Sequence, residues 1–135
     1  RELSLPYNIL ISNLMVQKTR GFINEDEDSR TLIKMIKDEE DKNFAGKLLR
    51  DTLNNWEANE KKLSERLENW DLDRVGLMDK VILTIAISEI DNFPLTPSRV
   101  IINEYIEIAK VFATDRSNIF INGILDKYCK DLNRI

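Results

Sequence analysis

The sequence predicts an all-α bundle of about six helices. Three observations carry that prediction. Residues 73–90, DRVGLMDKVILTIAISEI, form a stretch in which Val75, Met78, Val81, Ile82, Leu83, Ile85, Ala86, Ile87 and Ile90 leave almost no polar helix face. Glycine (4) and proline (3) are scarce, and β-branched residues do not alternate with polar ones. Elsewhere apolar residues recur at helical spacing. A helix apolar on all sides is either buried among other helices or set in a membrane. A span needs roughly 20 apolar residues, and Asp79, Lys80 and Glu89 interrupt this stretch, so it reads as the buried centre of a bundle.

The flanking segments supply the cover. Ser4 and Pro6 suit a helix start, a capping hydroxyl followed by proline in the first turn. Tyr7, Leu10, Ile11, Leu14 and Met15 then form one apolar stripe, and Gly21 ends the helix. The acidic run Asn24-Glu25-Asp26-Glu27-Asp28 lacks the spaced carboxylates, central glycine and closing glutamate of an EF-hand. It reads instead as acids favoured at the N-terminus of the next helix, which carries Leu32, Ile33 and Ile36. A second cluster, Asp38-Glu39-Glu40-Asp41, starts a long helix. Its stripe of Phe44, Leu48, Leu53, Trp56, Leu63 and Leu67 continues to about Glu68. Trp56, at stripe spacing, reads as core, with a base-stacking platform as the alternative.

Asn69 or Asp71 is positioned to cap the buried helix, which ends near Asp91-Asn92. Phe93-Pro94-Leu95 reads as an extended link. Thr96-Pro97 pairs a capping hydroxyl with proline at the first helical position. The following helix is expected to bury Val100, Ile101, Tyr105, Ile108 and Phe112. Ala113 to Arg116 break the pattern. Ser117 is expected to cap a last helix whose apolar side is Phe120, Ile121, Ile124, Leu125 and Tyr128.

Composition narrows the function. The 135 residues suffice for one domain, read here as 1–135, and 42% apolar residues suit a packed core. The net charge is −4, shared evenly between the two halves of the chain. Neither half looks like a basic nucleic-acid module, so RNA binding would need a local patch or a partner's help. With Cys129 the only cysteine and no histidine, an internal disulfide is impossible and zinc sites, histidine general acids and Ser-His or Cys-His nucleophiles are disfavoured. Gly21, Gly46, Gly76 and Gly123 are isolated, so no phosphate-cradling loop is present. No cofactor is expected, and the chain reads as a binding protein of a reducing cytoplasm, with no enzyme activity and no membrane partner.

Four segments carry a family resemblance. They are NWDLDR at 69–74, MDKVILTIAISEI at 78–90, PSRVIINEYIEIAKVFAT at 97–114 and DRSNIFINGILDK at 115–127. In this order and spacing, and above all in the pair INEYIEIAK and FINGILDK, they resemble the NusB family of bacterial transcription antitermination and ribosomal-RNA-processing factors. The resemblance is strongest over 69–130 and weaker at FAGKLLRDTL, 44–53. Residues 1–40 diverge and lack the arginine-rich opening of the family. The wording of 69–127 is most similar to family variants with an N-terminal extension, which implies that this chain is the C-terminal part of a longer protein.

What the resemblance implies is an all-helical fold of two packed three-helix groups. It also implies binding of single-stranded boxA-like RNA with the ribosomal protein NusE, and so, indirectly, the RNA polymerase antitermination complex. By position, Arg116, Ser117 and Phe120 stand where the family approaches RNA. A helix N-terminus offers N–H groups to phosphate, arginine adds charge, and an exposed aromatic stacks a base. Core packing is the other reading of Phe120. Arg116 stands where the family commonly has an acid. Glu89 matches a position near the NusE surface, with a solvated helix end as the plainer reading. Arg99 matches a basic position that serves either partner. Asn103-Glu104 and Asn122-Gly123 read as structural, Gly123 allowing close helix approach. The family often has a basic residue at the position of Thr84, so an ion pair there is not expected. Two other functions remain open: the NusB-like domain of a larger ribosomal-RNA methyltransferase, and a helical protein-binding module without RNA.

Overall fold

The computed structural model describes residues 4–21, 23, 24, 26–68, 72–112 and 116–135. The described residues form seven α-helices and one 3-10 turn: α1 (Ser4–Thr19), α2 (Glu27–Lys34), α3 (Glu39–Asn54), α4 (Trp56–Ser64), the turn Leu72–Arg74, α5 (Leu77–Asn92), α6 (Ser98–Phe112) and α7 (Ser117–Asp131). Helices α1, α2 and α3 pack on one another, as do α5, α6 and α7; α4 joins the groups by lying on α3 and α5. The two three-helix groups share one core, with α5 at its centre. No described helix is long and apolar enough to cross a membrane.

Local chemistry explains most boundaries. Asp26 caps α2 by accepting the Ser29 N–H at 2.8 Å. That bond holds the Asp26 carboxyl below its ordinary range, with smaller help from the Ser29 hydroxyl and Arg20. Asp38 caps α3 by accepting the Asp41 N–H at 2.9 Å. The chain leaves α1 through Gly21 at φ +92, a left-handed conformation that glycine adopts without strain. The capping roles expected of the Ser4 hydroxyl and of Asn69 or Asp71 lie outside what is described, as do Glu25 and residues 113–115. Gly76 precedes α5 without a side-chain cap.

Two expectations about the apolar stripes are corrected. The stripe from Phe44 to Leu67 is not one helix. It breaks at Asn55, whose side-chain amide donates to the Asp51 carbonyl at 2.8 Å, where an asparagine competes with the helical backbone. The stripe persists because Trp56 and Leu63 still face the core after the break. In α6, Val100 and Phe112 are exposed, and Ile102 and Ala109 are buried beside Ile101, Tyr105 and Ile108. Helix α6 touches α1, α5 and α7, so its buried arc turns toward those neighbours and away from the stripe's two ends.

Every residue of α5 from 81 to 90 is buried. Its polar members are each bonded. The Thr84 hydroxyl donates to the Lys80 carbonyl at 2.6 Å, and Asn59 of α4 donates to Ser88 Oγ at 2.7 Å. Glu89, only 2% exposed, accepts from Tyr105 at 2.7 Å and from Tyr7 at 3.0 Å. One carboxylate thus fastens α1, α5 and α6, and the Tyr7 ring lies edge-on to Tyr105 at 5.2 Å. Glu89 is therefore neither a solvated helix end nor a surface residue open to NusE. A carboxyl group this deeply buried needs hydrogen-bond partners, and both of its oxygens have one.

Past α5, Arg134 of the C-terminal segment donates to the carbonyls of Ile90, Phe93, Pro94 and Thr96, closing the link to α6. Asn133, at φ +57, makes the turn that brings it there.

Orphaning two buried tyrosine hydroxyls is expected to make Glu89→Ala lose on the order of 3 kcal/mol in urea unfolding, and Tyr105→Phe about half of that. Burial, with the Glu89 charge next, pushes the Tyr105 phenol well above its ordinary value of 10.0. The unfolded chain then releases that proton first. Stability is expected to fall as pH rises above about 10, less steeply in Tyr105→Phe, as read by denaturant midpoints across an alkaline series.

Candidate nucleic-acid interface

The start of α7 meets the start of α5 at one cleft. It is a cavity of about 250 Å³ lined by Arg74, Val75, Gly76, Asp79, Arg116, Ser117 and Phe120. The 3-10 turn presents Arg74, and the buried Val75 anchors that turn. Asp79 lies in the first turn of α5. Arg116 precedes α7, and its carbonyl accepts the Phe120 N–H at 3.2 Å.

Three of the residues expected to face RNA are thus together: Arg116 exposed, Ser117 buried and Phe120 half-buried. Ser117 is not the cap. Arg116 holds the cap position with helical backbone angles, and Ser117, the first helical residue, donates its hydroxyl to Asp79 Oδ2 at 3.1 Å. This bond ties the two helix starts. Burial raises the Asp79 carboxyl above its ordinary value, opposed by the Ser117 bond. Phe120 packs against the core, the plainer of its two readings, and also lines the cleft.

A second hollow of about 350 Å³ continues past Phe120 between α7 and the segment after α4. Its cations are already engaged. Lys127 pairs with Glu68 at 3.0 Å, and Arg66 pairs with Asp131 at 3.1 Å while lying 4.6 Å over the Tyr128 ring. Arg74 and Arg116, by contrast, have no ion pair among the described residues. Uncommitted cations cost the protein no existing bond when a phosphate arrives, so the first cleft is the better anion site.

Arg99 and Glu89 are not part of this cleft. Arg99, in the first turn of α6, pairs with Asp126 at 3.1 Å, and Lys130 pairs with the same carboxylate at 2.9 Å. Those two cations hold Asp126 below its ordinary value, Lys130 first. Asp126 is about 14 Å along α7 from Ser117 at 1.5 Å per residue. Gly123 is exposed, with open space where a Cβ would stand, so it does not seat a neighbouring helix. Asn103 and Asn122 are exposed as well and hold no core. Trp56, 7% exposed, is a core residue and offers no stacking face. No group of three or more His, Cys, Asp or Glu suited to a metal occurs among the described residues.

Sequence reasoning missed Arg74 and Asp79. Both stand inside quoted motifs, and Asp79 is a charged interruption of an apolar helix, which is the available signal. Their meeting with Arg116 depends on packing between segments about 40 residues apart.

A model described as the NusB family matches residues 7–130. The transcription antitermination protein NusB of Natranaerobius thermophilus is 46% identical over 82 residues, 58% of this chain and 59% of that protein. That of Methylacidiphilum infernorum is 41% identical over 97 residues, 72% of this chain and 68% of that protein. The first match therefore spans less than two thirds of its relative's length. Among solved structures, T. maritima NusB superposes with a TM-score of 0.80 at 30% identity, covering 93% of this chain and 88% of that one. A structure of antitermination factors NusB and NusE in complex with dsRNA superposes at 0.77 with 22% identity over 95% and 94% of the two chains, a likeness of fold. Seven helices in this arrangement, and a family match over nearly the whole length, have one reading: the chain belongs to the NusB family.

Proposed function

We propose that this chain is a transcription antitermination factor that binds boxA-type single-stranded RNA together with ribosomal protein NusE during transcription of ribosomal RNA. It works in the cytoplasm by binding rather than by catalysis. The observation that carries the reading is the cleft in which Arg74 and Arg116, without an ion pair among the described residues, stand beside Phe120. The names of the relatives and the NusB–NusE–dsRNA neighbour support it. The RNA face is Arg116, Ser117 and Phe120, joined by Arg74. Arg99, already paired with Asp126, adds only general positive potential. With a net charge of −4 the chain repels RNA at long range, so two arginines alone hold it weakly. NusE then contributes affinity by supplying further contacts to the same strand.

Fluorescence anisotropy of a labelled boxA-like RNA tests this, with a scrambled RNA as control and with NusE present or absent. Sequence-preferring binding that NusE tightens is expected; equal affinity for both RNAs in both conditions would overturn it. Arg116→Ala and Arg74→Ala should each weaken binding and lower the slope of log affinity against log salt by about one, with unchanged melting curves. Phe120→Ala should weaken binding about fivefold or more, the loss of one base–aromatic stack. An Arg116→Ala protein that binds as the parent does would remove that residue from the site.

A further inference from the structure

The cleft holds a carboxylate that a simple phosphate site would not keep. Asp79 lines the same cavity as Arg74 and Arg116, yet pairs with neither; its one bond among the described residues comes from Ser117 to Oδ2. An acid in a first helical turn is ordinary in itself, favoured by the helix dipole. Two guanidinium groups and a carboxylate that share a cleft without neutralising one another are not. A phosphate alone would satisfy the arginines and be repelled by Asp79. The ligand that satisfies all three carries acceptors for the arginines and, beside them, neutral N–H donors for the carboxylate.

Resting on the RNA-binding reading above, we propose that Asp79 is a specificity residue that reads the Watson–Crick edge of an unstacked guanine. Guanine offers two adjacent donors on that edge, N1–H and the N2 amino group, which a carboxylate accepts together. Its O6 and N7 acceptors are the usual partners of arginine. The other bases fit worse. Adenine and cytosine each set one amino group beside an acceptor nitrogen, and uracil flanks its single N–H with two carbonyls, so each turns a lone pair toward the carboxylate. The Ser117 hydroxyl fixes the carboxylate's orientation and leaves Oδ1 without a protein partner among the described residues. Phe120, in the cavity wall, supplies the apolar surface on which a base stacks.

The test titrates this chain, with and without NusE, into labelled uridine oligomers carrying one central guanosine, inosine, adenosine or cytidine, and into the all-uridine oligomer. Guanosine is expected to bind about tenfold tighter than adenosine, cytidine or uridine, the usual discrimination of one bidentate contact. Inosine, which lacks only the N2 amino group, should lose several-fold of that gain. Asp79→Asn, which presents one acceptor and one donor, should bind guanosine and inosine equally and the all-uridine oligomer no worse than the parent does. Asp79→Ser is the second variant, checked like the first by its melting curve, and the guanosine–inosine comparison in the parent needs no variant. Equal binding of all oligomers that Arg116→Ala still weakens would overturn the guanine assignment and leave RNA binding standing. A guanosine preference that survives in Asp79→Asn would overturn the role of Asp79. Failure to bind any oligomer, with or without NusE, would overturn both readings.

Discussion

The constraint on which the structure depends is the need to cover α5 on every side. Ten consecutive buried residues leave that helix no face for water. Each fully buried aliphatic side chain contributes about 1.5–3 kcal/mol relative to exposure, so the pull toward complete cover is strong. No single neighbour can satisfy it. Helices α1, α3 and α4 close one side, and α6 and α7 the other, which is why the two groups meet around this element. The polar residues of α5 then decide how the covering helices sit. Asn59 reaches Ser88, Lys62 reaches Asp91 at 2.7 Å, and Glu89 takes two tyrosine hydroxyls, so α1, α4 and α6 each meet a directional bond as well as an apolar surface.

The cleft forms where that cover runs out. At the N-terminal end of α5, residues 77–80 are only half-buried, and the 3-10 turn and the start of α7 approach without sealing the gap. Ordered bonds at the opposite end, around Glu89 and Arg134, leave this end free to carry chemistry that contributes little to stability. Arg74 and Arg116 need no ion pair among the described residues because both are exposed to solvent.

Features set by local chemistry were legible in the sequence. The α5 stretch, the α1 stripe of Tyr7, Leu10, Ile11 and Leu14, and the helix starts at the two acidic clusters each depend on residues a few positions apart, although the sequence does not single out which acid caps each helix. So was the grouping of Arg116, Ser117 and Phe120, which share one helix start. Features that depend on packing were not. The break at Asn55 is hidden because the apolar stripe runs through it. The burial of Glu89 rests on Tyr7, 82 residues away, and a glutamate near a helix end otherwise reads as solvated. The arc that α6 buries depends on three neighbours at once, so periodicity alone misplaced Val100 and Phe112. Gly123 suggested a close helix contact, but the packing leaves open space above it.

The Arg134 clamp has a consequence for the order in which the protein is completed. Its acceptors, the carbonyls of Ile90, Phe93, Pro94 and Thr96, lie 44 to 38 residues earlier in the chain. During synthesis the link between α5 and α6 therefore emerges long before the residue that holds it. Until then those carbonyls are hydrated, and α5 waits for α7 to cover its last side. The helices of the first group can begin to associate while the chain is still growing, but the core they share with α5 is completed only when the second group arrives. The second group and its clamp close together, once Arg134 has emerged.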